Sequence, residues 1–223
     1  MVDLDDMKDV PKGAIIQRKD GSYSVLARAP MGEVTPEMLD TINSVVKEFN
    51  LPGVRVTGRQ QVEIQGVSEE KLAAVVECLG SVGNPNTYLV QACIGISGCR
   101  LGMQDSLAMA AKLEKFLNKF ELPWKLKSSV SGCSMACAES YVRDVGLVGM
   151  KNGWVVLFGG NAGKGARKAD VLAEDVSDER AFEIIGKALD FYSENAKKRE
   201  RTAPFVERVG IGAIIEAITG SSL

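Results

Sequence analysis

The chain has 223 residues, 45% of them hydrophobic and 25% charged, with a formal net charge of −2. That length holds one large domain or two small ones, and that charge gives no reason to expect nucleic acid or an anionic membrane surface as a partner. There is no histidine, which excludes a Ser-His-Asp triad, a His-ligated zinc and a His-ligated haem, and leaves proton transfer to Lys, Asp, Glu, Tyr, Cys or water.

The chain starts with acidic MVDLDDMKDVPKG, which lacks the apolar stretch of a secretory signal, and no apolar run reaches the ~18 residues of a spanning helix. A cytoplasmic location with reduced thiols is therefore expected. Residues 14–29 read as two strands, AIIQR and YSVLARA, joined by a turn at Lys19-Asp20-Gly21. A helix follows, capped by Thr35 and opened by Pro36 and Glu37, with Met38, Leu39, Ile42, Val45, Val46 and Phe49 at helical spacing. Strands at Val54–Thr57 and Val62–Gly66 flank GRQQ, and Ser68-Glu69-Glu70 opens a second helix. This ββαββα order is that of an α+β unit with helices on one face of an antiparallel sheet.

The Gly/Asn/Pro-rich segment 80–88 reads as a domain boundary, dividing the chain into 1–80 and 81–223. Beyond it the spacing predicts a helix around 103–119, a strand near 123–130, strands near 142–149 and 154–158, the loop GGNAGKGARK, a helix over 178–199 and a short helix near 211–218.

Four of the five cysteines fall in two pairs, Cys93 and Cys99 in ACIGISGC and Cys133 and Cys137 in SGCSMAC. Four thiolates without histidine form the ligand set of an iron–sulfur cluster or a Cys-only zinc site. The five residues inside the first pair are more than zinc ribbons usually carry, and their apolar character predicts a buried site, which suits a cluster better than zinc. Glycines 95, 98, 102 and 132 would let backbone amides approach inorganic sulfides. Cys78, within LAAVVECL, reads as a small buried hydrophobe.

Cations form a second set. Arg28, Arg55, Arg59, Arg100, Lys125 and Lys127 are each readable as solvated surface charges. On a strand, however, residues 125 and 127 point to one face. Two cations side by side just before a cysteine pair suit a polycarboxylate cofactor or a small oxyanion.

Taken together, ARAPMGEVT, VRVTGRQQVEIQG, the C-x5-C pair, KLKSSVSGC-x3-C and LFGGNAGKG resemble the sulfite/nitrite reductase family over about residues 13–200. Its single repeat is similar to the small assimilatory-type sulfite reductases. The resemblance implies siroheme and a 4Fe–4S cluster as cofactors. It implies a ferredoxin-like N-terminal half followed by an α/β domain that binds both. Carried over residue by residue, Cys93, Cys99, Cys133 and Cys137 would hold the cluster, with Cys137 bridging to the siroheme iron. Arg55, Arg59, Asn161, Lys164 and Arg167 would contact siroheme; Arg28, Lys125, Lys127 and Arg100 would face the substrate anion. Ser134-Met135-Ala136 stands where the family often has Pro-Asn-Gly or Pro-Asn-Asp. Larger members carry two such repeats, so one copy here either wraps both faces of the haem, is completed by a second copy, or leaves the substrate face open.

The implied reaction is six-electron reduction of sulfite to sulfide. Nitrite reductase forming ammonia, a cluster-only electron-transfer protein and a structural zinc protein are the alternatives. The implied partners are sulfite or nitrite and a ferredoxin-like or other low-potential electron donor, with the chain a monomer or homodimer. The basic run Lys197–Arg201 would either dock that acidic donor or favour a helix C-terminus.

Overall fold

The computed structural model describes residues 10–11, 13–83 and 88–220. Residues 1–9, at the acidic start, and 84–87, inside the expected boundary, lie outside the described residues. The chain forms two compact units, Met1–Pro85 and Asn86–Leu223.

The first unit contains β1 (Ile15–Gln17), β2 (Tyr23–Ala27), α1 (Pro36–Glu48), β3 (Val54–Val56), β4 (Val62–Val67) and α2 (Glu69–Leu79). Its antiparallel sheet has the order β1-β2-β4-β3. Alternation along the strands sends Val25, Ala27, Val62 and Ile64 into the core with the helices, and Ser24 and Glu63 to the other face. Thr35 caps α1 as its sequence requires: Oγ1 accepts from the Met38 amide at 3.2 Å, and Pro36 follows at the first helical position. Leu39 is 57% exposed, contrary to the expected apolar face, because it lies at the edge of a stripe centred on Ile42 and Val45. Cys78 is also exposed rather than buried, since Leu72, Val75 and Leu79 define the inward face of α2.

The second unit contains β5 (Val90–Ala92), α3 (Ser106–Leu117), β6 (Ser128–Ser131), β7 (Val145–Met150), β8 (Gly153–Phe158), β9 (Asp170–Val176), α4 (Asp178–Asn195), α5 (Thr202–Val209) and α6 (Ile211–Thr219). Its sheet runs β5-β6-β7-β8-β9; the first three strands are parallel and the last two antiparallel additions. β8 is buried along its whole length, so both sheet faces are covered. Val155 and Leu157 pack with Val148 and Ala169 on one face; α4 packs against β8 and β9, and α3 against β5 and β6. Among the described residues no helix is long and apolar enough to cross a membrane.

Three elements escape the sequence reading. β5 is three residues long, β9 carries a mixed, half-exposed pattern, and α5 has Pro204 in its first turn. Two boundaries also differ. β6 begins only at Ser128, so Lys125 and Lys127 precede the strand. α4 ends at Asn195, where Ala196 turns extended (ψ 147°), so Lys197–Arg199 are not its last turn.

Candidate functional site

Parallel pairing of β5 with β6 decides where the cysteines go. Ala92 is in register with Val130, so Cys93 and Cys133 follow adjacent strands at the same carboxyl end of the sheet. That is where open α/β sheets place their ligands. The Cys93 amide still donates to the Val130 carbonyl at 3.2 Å. The first cysteine loop then folds onto the second. Both the Met103 and Gln104 amides donate to Gly132 O, at 2.8 and 3.1 Å, and the Gly132 amide donates to Cys93 Sγ at 3.1 Å. Ser106, fully buried, donates to the Cys93 carbonyl at 2.6 Å.

This union depends on glycine. A Cβ on Gly132 would stand 2.6 Å from Gly95 Cα, and one on Gly102 would stand 2.5 Å from the Gly95 carbonyl carbon. Of the glycines expected beside the sulfur atoms, Gly132 and Gly95 let the two loops meet backbone to backbone, Gly102 lets the first loop close on Gly95, and a Cβ on Gly98 would meet the Ile94 side chain. In the second loop Ala136 adopts a left-handed conformation (φ 49°), and the Ala138 amide donates to the buried Ser131 hydroxyl at 3.2 Å. That bond brings the residue beside Cys137 back alongside β6.

Cys133 is buried, Cys93 half-buried, and Cys99 and Cys137 are exposed. The apolar stretch expected to bury the site instead faces outward: Ile94, Ile96, Leu101, Met103 and Met135 are each between 46% and 66% exposed. Large apolar side chains are thus exposed in both cysteine loops. Among the described residues no three His, Cys, Asp or Glu side chains are gathered for a single metal ion. A cubane binds each thiolate to a different iron, so its ligands stand further apart than the sulfurs around one tetrahedral zinc with bonds of about 2.3 Å. Four cysteines on two joined loops, with no histidine, fit such a group. The backbone N–H on Cys93 Sγ is a donor of the kind that tunes cluster potential.

The cations are distributed as follows. Arg100 is exposed beside Cys99. Lys125 is exposed, with Nζ 5.7 Å from the Trp124 ring centre, while Leu126 is buried and Lys127 half-buried. Alternation therefore survives in this segment although it lies outside the sheet. Lys127 and Cys133 stand at opposite ends of β6, about 20 Å apart along an extended chain. Ser131, beside which the chain returns to Ala138, is about 13 Å from Lys127 on the same scale. Asn161 opens the 159–168 loop: its Oδ1 accepts from the Gly163 amide at 3.2 Å and its Nδ2 donates to Gly165 O at 2.7 Å. Lys164 is exposed in that loop. Arg167 is engaged internally, donating to Gly159 O at 2.9 Å and to Asp170 at 2.5 Å.

In the first unit Arg28, Arg55 and Arg59 are exposed. Arg55 lines an open cleft of about 500 Å³ with Arg18, Lys19, Ser24 and Gln65. Arg18, which the sequence reading passed over, is ion-paired to the buried Glu63. Glu63 is held below the usual carboxylate range by hydrogen bonds from Ser24 and Arg18, which outweigh its burial.

The largest omission is Asp144. It is fully buried, and its carboxylate accepts from the Lys127 amide (2.8 Å), the Thr202 hydroxyl (2.5 Å) and the Arg201 guanidinium. Arg201 belonged to the basic run expected at a helix end, but it turns inward. Within that run Arg199 lies 5.4 Å from the Trp124 ring centre, and the Lys197 amide donates to Glu200. The five residues do not form one uniform basic face.

Residues 84–222 match the family described as the nitrite and sulphite reductase 4Fe-4S domain, and residues 15–82 match the nitrite/sulfite reductase ferredoxin-like half domain. The chain belongs to the nitrite and sulfite reductase family. Membership makes it an oxidoreductase with siroheme and a 4Fe–4S cluster as cofactors, and its α+β architecture is the family's. An assimilatory-type sulfite reductase of Nitratidesulfovibrio vulgaris is 40% identical over 218 residues, covering 96% of this chain and all of that protein. An NAD(P)H nitrite reductase of Bacillus subtilis is 37% identical over 201 residues, or 88% of this chain, but the match spans only 25% of that protein. Among solved structures, dissimilatory sulfite reductase I superposes with TM-score 0.74 at 16% identity, over 91% of this chain and 70% of that one. Mycobacterium tuberculosis NirA superposes with TM-score 0.78 at 21% identity, over 92% and 41%. These two likenesses establish the fold.

Proposed function

We propose that this reductase converts sulfite to sulfide, with six electrons and six protons giving three waters. The observation that carries this reading is the junction of the two cysteine loops at one end of β5 and β6, surrounded by exposed apolar side chains. Cys93, Cys99, Cys133 and Cys137 would hold the cluster. Cys137, exposed at the end of a loop tied to β6, would share its thiolate with the siroheme iron. When bound, siroheme coupled to a 4Fe–4S cluster supplies one-electron storage and an iron at which a small anion is reduced.

The chain's own contribution is electrostatic and positional. Arg28, Lys125, Lys127 and Arg100 would neutralise the oxyanion, and their attraction would strengthen as oxygen gains negative charge during S–O cleavage. With no histidine in the chain, lysine ammonium groups or waters held by them would deliver the protons. Arg55, Arg59, Asn161, Lys164 and Arg167 would hold the siroheme carboxylates and edge. The cysteine thiols suit a reducing, cytoplasmic setting with a low-potential one-electron donor. The domain division proposed is 1–80 and 81–223.

Sulfite is favoured over nitrite because the relative matched along its whole length is a sulfite reductase, whereas the nitrite reductase match spans a quarter of its protein. The test is oxidation of a reduced dye by protein purified without oxygen, with sulfite and nitrite compared. Porphyrin bands that shift with sulfite, and faster turnover with sulfite, are expected. A cluster spectrum without porphyrin bands would sink the reading. Lys127→Ala should lower turnover about tenfold or more while siroheme stays bound; an unchanged rate removes Lys127 from the anion site.

A further inference from the structure

The Asp144 carboxylate joins two segments that the proposed function uses separately. One is the lysine segment. Asp144 Oδ2 accepts from the Lys127 amide at 2.8 Å, and the Asp144 amide donates to the Lys127 carbonyl at 2.9 Å, so Lys127 is gripped by its backbone on both sides. The other is the 159–168 loop. The Gly159 amide donates to the Asp144 carbonyl at 2.9 Å, and Arg201, paired to Asp144 through Nη2, extends Nη1 to Asn161 Oδ1 at 3.2 Å. Thr202 adds its hydroxyl to Asp144 Oδ1.

A fully buried carboxylate is expensive to desolvate and is retained where several donors converge on it. Here the donors come from residues 127, 201 and 202. Arg201 Nε is buried without a hydrogen-bond partner. The guanidinium is therefore oriented by its two Nη contacts rather than by filling every donor. A lysine at 201 could keep the charge beside Asp144, but as a single point it could not also reach Asn161.

We propose that Asp144 and Arg201 are a positioning pair that sets Lys127 and Asn161 relative to each other. The pair acts on the bound anion through Lys127 and, through Asn161, by way of the siroheme edge that Asn161 would hold, so this inference rests on the proposed function. Fixing a cation and an amide by one rigid hub is how a scaffold preorganises a site without touching the reacting atoms.

Arg201→Lys in the cofactor-loaded protein tests this, because it keeps the charge on Asp144. Expected are wild-type iron and siroheme content, amide exchange about tenfold faster across 161–167, and about tenfold weaker sulfite binding in a visible-spectrum titration. Because Arg201 acts through Asn161, the double variant Arg201→Lys/Asn161→Ala should bind sulfite no more weakly than Asn161→Ala alone. Should Arg201→Lys not fold, Thr202→Val removes only the hydroxyl donated to Asp144. It should speed exchange at the Lys127 amide and in the loop about threefold. Wild-type affinity in Asn161→Ala would sink both the loop's role and the pair's. Weakened affinity in Asn161→Ala with wild-type exchange and affinity in Arg201→Lys, or additive losses in the double variant, would overturn the positioning pair alone.

Discussion

Gly132→Ala should separate the two cysteine loops. The new Cβ would lie 2.6 Å from Gly95 Cα, 3.0 Å from Gln104 O and 3.2 Å from Ser106 Oγ. The first two contacts are with backbone, so no side-chain rotation relieves them, and the loops must part by about 0.8 Å to reach an ordinary 3.4 Å contact. Overpacking of this kind costs about 1–3 kcal/mol. Separation also stretches the bonds that join the loops, from Met103 and Gln104 to Gly132 O and from Gly132 N–H to Cys93 Sγ, each worth about 1 kcal/mol. Together these give about 4–6 kcal/mol if all three bonds are lost, or a fall in Tm of about 10 °C or more for a chain of this size. The assay is thermal unfolding of anaerobically purified protein, together with iron and acid-labile sulfide per chain. Gly165→Ala is the control, since a Cβ there meets nothing within 4 Å. Lower Tm and substoichiometric iron are expected for Gly132→Ala alone. Wild-type Tm and four irons per chain in that variant would refute the claim that glycine packing holds the loops together.

Cys137→Ser should lose or disorder the cluster and disturb the haem spectrum together; retention of both spectra would refute the shared-thiolate assignment. Ala136→Gly acts in the opposite direction to most substitutions. Ala136 sits at φ 49°, which costs a non-glycine residue about 1–2 kcal/mol, and glycine's extra unfolded-state freedom returns roughly half of that. A Tm rise of about 2 °C with unchanged iron content is therefore expected, and a fall would show that the Ala136 methyl makes a contact worth more than the strain. Glu200 accepts from Arg208 at 2.7 and 2.9 Å and from the Lys197 amide, and chiefly the Arg208 bonds bring its pKa from 4.5 to about 2. A carboxylate lowered in the folded state stabilises above its unfolded pKa, so this contribution is lost as pH falls from about 4.5 towards 2. Glu200→Gln should lower Tm at pH 7 and flatten the Tm–pH curve in that window; an acid limb of unchanged slope would refute the assignment.

What could be read from the sequence, and what could not, divides by distance along the chain. Thr35-Pro36 announces α1 because capping is local, and the Thr35–Met38 bond is there. The cysteine pairs announce themselves because residues of one type recur at short spacing, although their union depends on β5, a strand of three residues and too short to leave a period. Asp144 and Arg201 are 57 positions apart, and each has a plausible local reading. One follows Arg143 like a surface ion pair, and the other closes a basic run. One signal did lie in view: Asp144 immediately precedes VGLVGM, a strand with no polar alternation. A strand buried on both faces gives an acid at its entrance no exposed face to occupy. Such an acid must find donors inside the protein. Which segments supply them is a matter of the tertiary fold: the partners of Asp144 stand in the lysine segment before β6 and in the chain after α4.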